Sequence, residues 1–356
     1  MVVGRSPVKG NTKMIAMRLL AFAAGVLTVM SCVRAEDAVL LSEFIYDEAS
    51  FPSCHASTLV ETTEGTIVAA FFGGSDEGEK DVGIWLSRRE GGRWSPPVEV
   101  ANGLQYLKPD GGEHRHPCWN PVLFQPPDSA LVLFYKCGPS PSEWWGMATR
   151  SGDGGQTWSF PRRLPEGIIG PVKNKPVMIS DGRLICGSST EHDGWRAHFE
   201  ITPNVGRSWT RTDPINDGEA IAAIQPSILK HPGNKLQAIG RSRQRKLWTA
   251  WSDDGGLTWG EMTLTDVPNP NSGTDAVTLR DGRHLLVYNH TPKGRTPLNV
   301  AVSKDGLAWE MVKVLEDEPG EYSYPAVIQS RDGKVHITYT WKREKIRYVV
   351  LDPEKL

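Results

Sequence analysis

His55, Asn120, Lys175, Gln225, Asp275 and Tyr322 each stand just before an apolar run of strand length. A second group follows the partner of each run and includes Asp76, Glu77, Glu191, Arg241, Arg295 and Arg343. Carboxylates, guanidinium groups, an imidazole and a phenol form a concentrated hydrogen-bonding set for positions flanking apolar strands. Singly, each fits a solvated rim. If one fold brings these strand ends to a common point, the set converges on a polar ligand. Other chemistries lack their residues. His114-Arg115-His116 sits in a loop without a spaced third metal ligand, and neither a glycine-rich phosphate loop nor a nucleotide fingerprint is present. No metal and no cofactor are expected.

The apolar runs come in pairs. Residues 56–71 turn at Thr63-Glu64-Gly65, 121–135 at Pro126-Pro127-Asp128-Ser129, and 176–186 at Asp181-Gly182. Residues 226–239 turn at Pro232-Gly233-Asn234, 276–288 at Asp281-Gly282, and 325–340 at Asp332-Gly333. Such turns between apolar runs predict six hairpins. Between them recurs a box of the form S-x-D-x-G-x-T-W, complete in Ser252-Asp253-Asp254-Gly255-Gly256-Leu257-Thr258-Trp259 and in residues 151–158. Residues 202–209 keep its spacing, residues 87–94 have Arg89 where Asp is expected, and residues 303–309 are one short. The starts at 87, 151, 202, 252 and 303 are mostly about 50 apart, the length of a propeller blade. The box Asp can accept bonds from turn N–H groups, the Gly permits positive φ, and the Trp packs between sheets. The spaced acids and terminal Glu of a calcium loop are missing, so the boxes are structural. Together these features predict an all-β, six-bladed β-propeller with Asp-box repeats. A strand over residues 38–45 is expected to complete the last sheet and close the ring. The innermost strands then surround a channel, and the two polar groups gather at one mouth.

The 356 residues hold 40 Lys and Arg against 42 Asp and Glu, a net charge of −2 that gives no basis for a nucleic-acid partner. Residues 1–35 read as a signal peptide: Lys9, Lys13 and Arg18 precede an apolar run over 19–30, and Val33-Arg34-Ala35 offers a cleavage site. The run is too short to span a membrane comfortably. The expectation is a secreted or periplasmic protein without an integral span, a monomer, with residues 36–356 as one propeller domain. Val29-Met30-Ser31-Cys32 leaves lipid attachment as a lesser alternative. Pairing Gln125 with Ala130 in the second hairpin would set Cys118 opposite Cys137, either as a disulfide or as free thiols. Residues 102–116 read as an irregular insertion.

The boxes and hairpins resemble those of the sialidase (neuraminidase) superfamily, and more narrowly its secreted BNR-repeat branch, over residues 40–350. That resemblance implies three arginines clamping a substrate carboxylate, a Tyr nucleophile assisted by Glu, and an Asp acid/base on a loop. Arg241, in Gly240-Arg241-Ser242-Arg243, matches the second arginine, and Arg295, in Gly294-Arg295-Thr296-Pro297-Leu298, the third. Tyr322, in Glu321-Tyr322-Ser323-Tyr324, matches the nucleophile, with Tyr324 as the register alternative. Asp76 falls in the acid/base loop, with Glu77 and Asp81 as neighbours able to take the role. Asn120, Lys175, Asp275 and Tyr324 join the arginines as expected substrate-binding residues. Two positions depart: His55 stands where the first arginine belongs, and Gln225 replaces the assisting Glu. His55 has two readings, a proton-transfer group titrating near physiological pH or a structural histidine beside the first strand.

The resemblance therefore implies an exo-α-sialidase-type glycoside hydrolase that releases an acidic terminal sugar from a glycan. One alternative is a hydrolase or lyase specific for uronic acids that uses His55. The other is a non-catalytic glycan-binding propeller.

Overall fold

The computed structural model describes residues 37–356, and the signal peptide expected over residues 1–35 lies outside the described residues. Short apolar runs joined by glycine turns pair antiparallel into six sheets arranged as the blades of a β-propeller. The innermost strands, in blade order, are Ser53–Glu61, Cys118–Phe124, Val177–Met178, Ala223–Lys230, Asp275–Thr278 and Tyr322–Gln329. The first strand, Val39–Phe44, pairs with Lys345–Leu351 as the outermost strand of the sixth sheet and closes the ring. Residues 102–116 depart from the irregular insertion expected, because Leu104–Leu107 and Glu113–Arg115 pair as a small hairpin. Among the described residues no helix is long and apolar enough to cross a membrane.

The boxes link the third strand of a blade to the fourth, at the end of the propeller opposite the mouth. Asp254 accepts from Ser252 Oγ at 2.8 Å, from the N–H groups of Leu257 and Thr258 at 3.0 Å each, and from Thr258 Oγ1 at 2.6 Å. Gly256, at φ +87°, turns the chain so that its own N–H reaches Ser252 Oγ. Trp259 then stacks on Phe199 of the preceding blade, with ring centroids 3.7 Å apart. The first box has no Asp. Glu43 of the closing strand accepts there from Trp94 Nε1 and Arg89 Nε, both at 3.0 Å.

All four described cysteines are buried free thiols. The second hairpin pairs one residue away from the expectation, Phe124 with Val132, and a bulge near its mouth end restores Cys118 opposite Cys137.

Partial burial works to raise the Asp254 pKa, but bonds from Thr258, Ser252 and Leu257 outweigh it and hold the carboxyl at about 2. A folded pKa below the unfolded value contributes stability above about pH 4 that is lost as the pH falls through about 2. Asp254→Ala is expected to cost about 1–2 kcal/mol at pH 7 by chemical denaturation. Asp254→Asn should cost less, since Asn204 of the third box keeps bonds from the Arg207 and Ser208 N–H groups. The gap between wild type and Asp254→Asn should narrow between pH 4 and pH 2, and a constant gap would contradict the box chemistry.

Candidate active site

The innermost strands share an irregularity at the mouth. Pairing skips between His55 and Thr58, between Ile224 and Ser227, and between Ser323 and Ala326, and the second blade skips around Asn120. The bulged residue has positive φ in each: Ala56 53°, Asn120 41°, Gln225 59° and Tyr324 52°. Left-handed backbone costs a non-glycine residue roughly 1–2 kcal/mol, so four such residues around one mouth place strain where the ligand would sit. Pro121, Pro226 and Pro325 follow three of them. Proline has no N–H, so it leaves no donor unpaired in a bulge.

The bulge decides which tyrosine enters the mouth. In a regular strand Tyr322 and Tyr324 would share a face. Pairing is regular through Ser323 and resumes at Ala326, so the two part. Tyr322, expected as the nucleophile, is instead buried among Leu298, Val300, Val327 and Ile337. Burial raises its pKa, and Glu316, Glu318 and Asp317 add to this. Tyr324 takes the mouth.

Tyr324 is the hub of the cluster. Arg241 Nη2 donates to its hydroxyl at 2.9 Å, and Gln225 Nε2 lies at 3.5 Å. The His55 ring is 4.1 Å away, and Arg241, Arg295 and Lys173 stand 5.3, 5.8 and 5.9 Å from the tyrosine ring centre. Arg295 Nη1 donates to Glu321 Oε1 at 2.5 Å, and Arg343 Nε donates to the same oxygen at 2.7 Å. Arg343 also pairs with Glu77. Burial works to raise Glu321, but Arg295 and Arg343 prevail and hold its carboxyl below the usual range. Three guanidinium groups thus gather at the mouth, Arg343 being the one contributed beside His55.

His55 does not titrate near physiological pH. Burial, then Arg343, Arg295, Arg241 and Lys173, push its pKa well below the ordinary value, and its Nδ1 is 2.9 Å from Thr340 Oγ1. It is a neutral imidazole. Lys175 and Asp275, expected to bind substrate, pair with each other at 2.8 Å between blades. Asp275 also accepts from Ser227 Oγ, from its neighbour Ala276 N–H and from Val327 N–H, which stitches the fourth, fifth and sixth blades. The lysine near the axis is Lys173, which donates to Asn174 Oδ1 at 2.8 Å, to Thr274 O at 2.7 Å and to Pro325 O. Burial lowers its pKa to about 7. Asn120 is buried at the mouth end of the second inner strand. Asp76 is exposed on the loop and bonds the N–H of Glu77, whereas Glu77 reaches the cluster through Arg343.

Glu191, which follows the second strand of the third blade, joins the site. Burial raises its pKa; Arg241, a bond from Trp195, and Arg243 oppose this without cancelling it, and Glu77 adds to the rise. Arg241 and Arg243 both pack on Trp195, at 4.9 and 4.4 Å. Glu191 and Arg343 were legible as mouth positions, but their roles depend on partners from other blades. Lys173 carried no signal beyond lying two residues from Lys175. Among the described residues no group of three or more His, Cys, Asp and Glu side chains could hold a metal ion.

The BNR repeat-like domain family matches residues 65–337. The chain belongs to this family. Its propeller is similar to an intramolecular trans-sialidase from Ruminococcus gnavus (TM-score 0.72, 14% identity, 90% of this chain and 99% of that one). It is also similar to the NanB sialidase of Streptococcus pneumoniae (0.70, 13%, 90% and 71%). A protein of unknown function from Dyadobacter fermentans is similar too (0.71, 19%, 88% and 98%). Comparison with curated proteins returns no match. The BNR-repeat propeller described here therefore has the sialidase-like fold.

In this BNR-repeat protein Asp275 is a structural residue. Asp275→Ala leaves Lys175 without its carboxylate and buries unsatisfied donors, so the denaturant midpoint should fall by the equivalent of about 3–5 kcal/mol. Lost ligand affinity at unchanged stability would return Asp275 to the ligand site.

Proposed function

We propose that this protein is a glycoside hydrolase that releases an acidic sugar from the end of a glycan. The observation that carries the reading is the Tyr324 hydroxyl bonded to Arg241, with Arg295 over the same ring and Arg343 on the Glu321 carboxylate that Arg295 also holds. Forked donors suit a planar carboxylate, and in this reading Arg241, Arg295 and Arg343 share it. A substrate carboxylate would compete with Glu321 for Arg295 and Arg343. Tyr324 Oη gives its proton to water and bonds the oxocarbenium-like anomeric carbon as the glycosidic C–O bond breaks. The departing oxygen takes the proton of Glu191; a water then adds its hydroxyl to the anomeric carbon and its proton to Glu191, and the released Tyr324 phenolate regains its proton from solvent. Glu191 suits the acid role better than Asp76 or Glu77, because burial keeps its proton to higher pH while Glu77 is tied to Arg343. Export of the chain, expected from residues 1–35, fits a glycan substrate outside the cell.

Tyr324→Phe should lower kcat/KM by about a hundredfold or more, measured by release of methylumbelliferone from sialic acid and glucuronic acid glycosides. Tyr322→Phe should stay within about twofold of wild type, given its place in the core. Retained activity in Tyr324→Phe would sink the mechanism. Glu191→Gln should lower kcat and remove the alkaline limb of the pH profile, since a general acid with a raised pKa loses activity as the pH climbs through that value.

A second reading rests on neutral His55 beside Tyr324: proton abstraction next to a uronate carboxylate held by the arginines. It would give an unsaturated, ultraviolet-absorbing product where hydrolysis gives none. Binding without turnover of these substrates or of natural acidic polysaccharides would leave a glycan-binding propeller.

A further inference from the structure

Beside the mouth, between the second and third blades, lies a cleft of about 210 Å³ walled by Trp144, Trp145, Arg163, Thr190, His192 and Arg211. Across the wall made by Trp145 and Arg163 is a wider cleft of about 700 Å³, bordered by the strand Leu104–Leu107 and by Phe160. The Arg163 guanidinium lies 4.7 Å over the Trp145 ring, and His116 packs against the same indole at 5.5 Å, so the dividing wall is held from two sides. The rim of the wider cleft carries uncovered side chains: Phe160 is 89% exposed, Leu107 66% and Tyr106 58%. Aromatic and apolar groups this exposed in one patch mark a binding surface.

The position of Glu191 identifies the occupant. Its chain neighbours Thr190 and His192 form part of the near cleft's wall. A general acid protonates the oxygen of the departing group, so that group leaves on the acid's side of the sugar being cleaved. A series of ring contacts leads to the same place from Tyr324's neighbour: His55 to Phe72 at 5.6 Å, Phe72 to Trp119 at 6.2 Å and Trp119 to Trp144 at 6.1 Å. The near cleft therefore adjoins the segment that carries Glu191, and the wider cleft lies beyond the Trp145–Arg163 wall.

We propose that the two clefts form one groove for the leaving-group side of an extended acidic glycan, engaging two or more sugars beyond the scissile bond. Apolar sugar faces lie on Trp145, Tyr106 and Phe160, whose rings offer broad apolar surface. Hydroxyl groups meet Arg163, His192 and Arg211. This inference rests on the hydrolase reading with Glu191 as acid. It makes the substrate an oligosaccharide or polysaccharide chain, with short glycosides poor substitutes.

The test uses the full chain and glycans of two, three and five sugars ending in sialic acid or in glucuronic acid. Turnover is measured as kcat/KM in wild type, and binding as Kd by calorimetry in Tyr324→Phe. The groove predicts a rise in kcat/KM of about tenfold from two sugars to five, with Kd tightening in parallel. Arg163→Ala combined with Phe160→Ala changes two exposed side chains that no core depends on, and should flatten this length dependence to within about twofold. Turnover at one rate for every length, or a length dependence untouched by the double variant, overturns the groove. Binding that tightens with length and is flattened by the double variant, without turnover of any chain, would instead overturn hydrolysis and keep the groove.

Discussion

The structure depends on closing a ring with a strand from each end of the described chain. Val39–Phe44 adds to Lys345–Leu351, and without it the sixth sheet would present a bare edge. Closure also sets the seam between the first and sixth blades, and the candidate site lies on that seam. His55 of the first blade meets Thr340 and Tyr324 of the sixth, and Arg343 bonds the first blade twice, through its carbonyl to Cys54 N–H and through its side chain to Glu77. On the opposite end Glu61 pairs with Arg331, and Glu43 fills the place of the Asp missing from the first box. Each such bond adds about 1 kcal/mol net, but their larger effect is geometric. They fix the distance between two sets of side chains far apart in sequence.

At the axis the balance is electrostatic. Lys173 is buried with three hydrogen-bond acceptors and, among the described residues, no carboxylate in direct contact. Burying an ammonium this way is unfavourable, which is why its pKa falls to about 7. A lysine whose folded pKa lies below its unfolded value of 10.5 opposes folding fully below about pH 7, and the opposition fades as the pH rises toward 10.5. The three bonds give something in return. They tie the carbonyl of Pro325, the residue after Tyr324, to the third and fifth blades and hold the strained bulge in place.

The elements legible in the sequence were those specified locally. An Asp-Gly turn or an Asp box works through residues within a few positions of one another, so hairpins, blades and ring closure could be read directly. Tyr324 could not be separated from Tyr322, because the feature that separates them is a left-handed tyrosine, a conformation that no residue type announces. The same holds for Asn120 and Gln225, where only the following proline hints at a bulge. Lys175 is the residue directly before the third hairpin, whereas the lysine buried near the axis is Lys173, ahead of an inner strand of only two residues, Val177–Met178. The neutrality of His55 was least accessible, since it comes from burial and four cations carried by four separate segments.

Those four cations also account for the departure at position 55. An arginine there would add another fixed positive charge beside Lys173, Arg241, Arg295 and Arg343, with Glu321 and Glu77 already engaged by Arg295 and Arg343. Each of these cations would repel it, as each already disfavours a charge on His55. A histidine accepts the same place by remaining uncharged. The third guanidinium then comes from Arg343, across the closing seam, in the blade that carries Tyr324. The positive side of the mouth is displaced toward the fifth and sixth blades. Glu191 lies at its edge beside Arg241 and Arg243, and the clefts lie between the second and third blades. Under the proposed hydrolysis, the acidic group would be held on the positive side and the remaining chain would leave by the clefts.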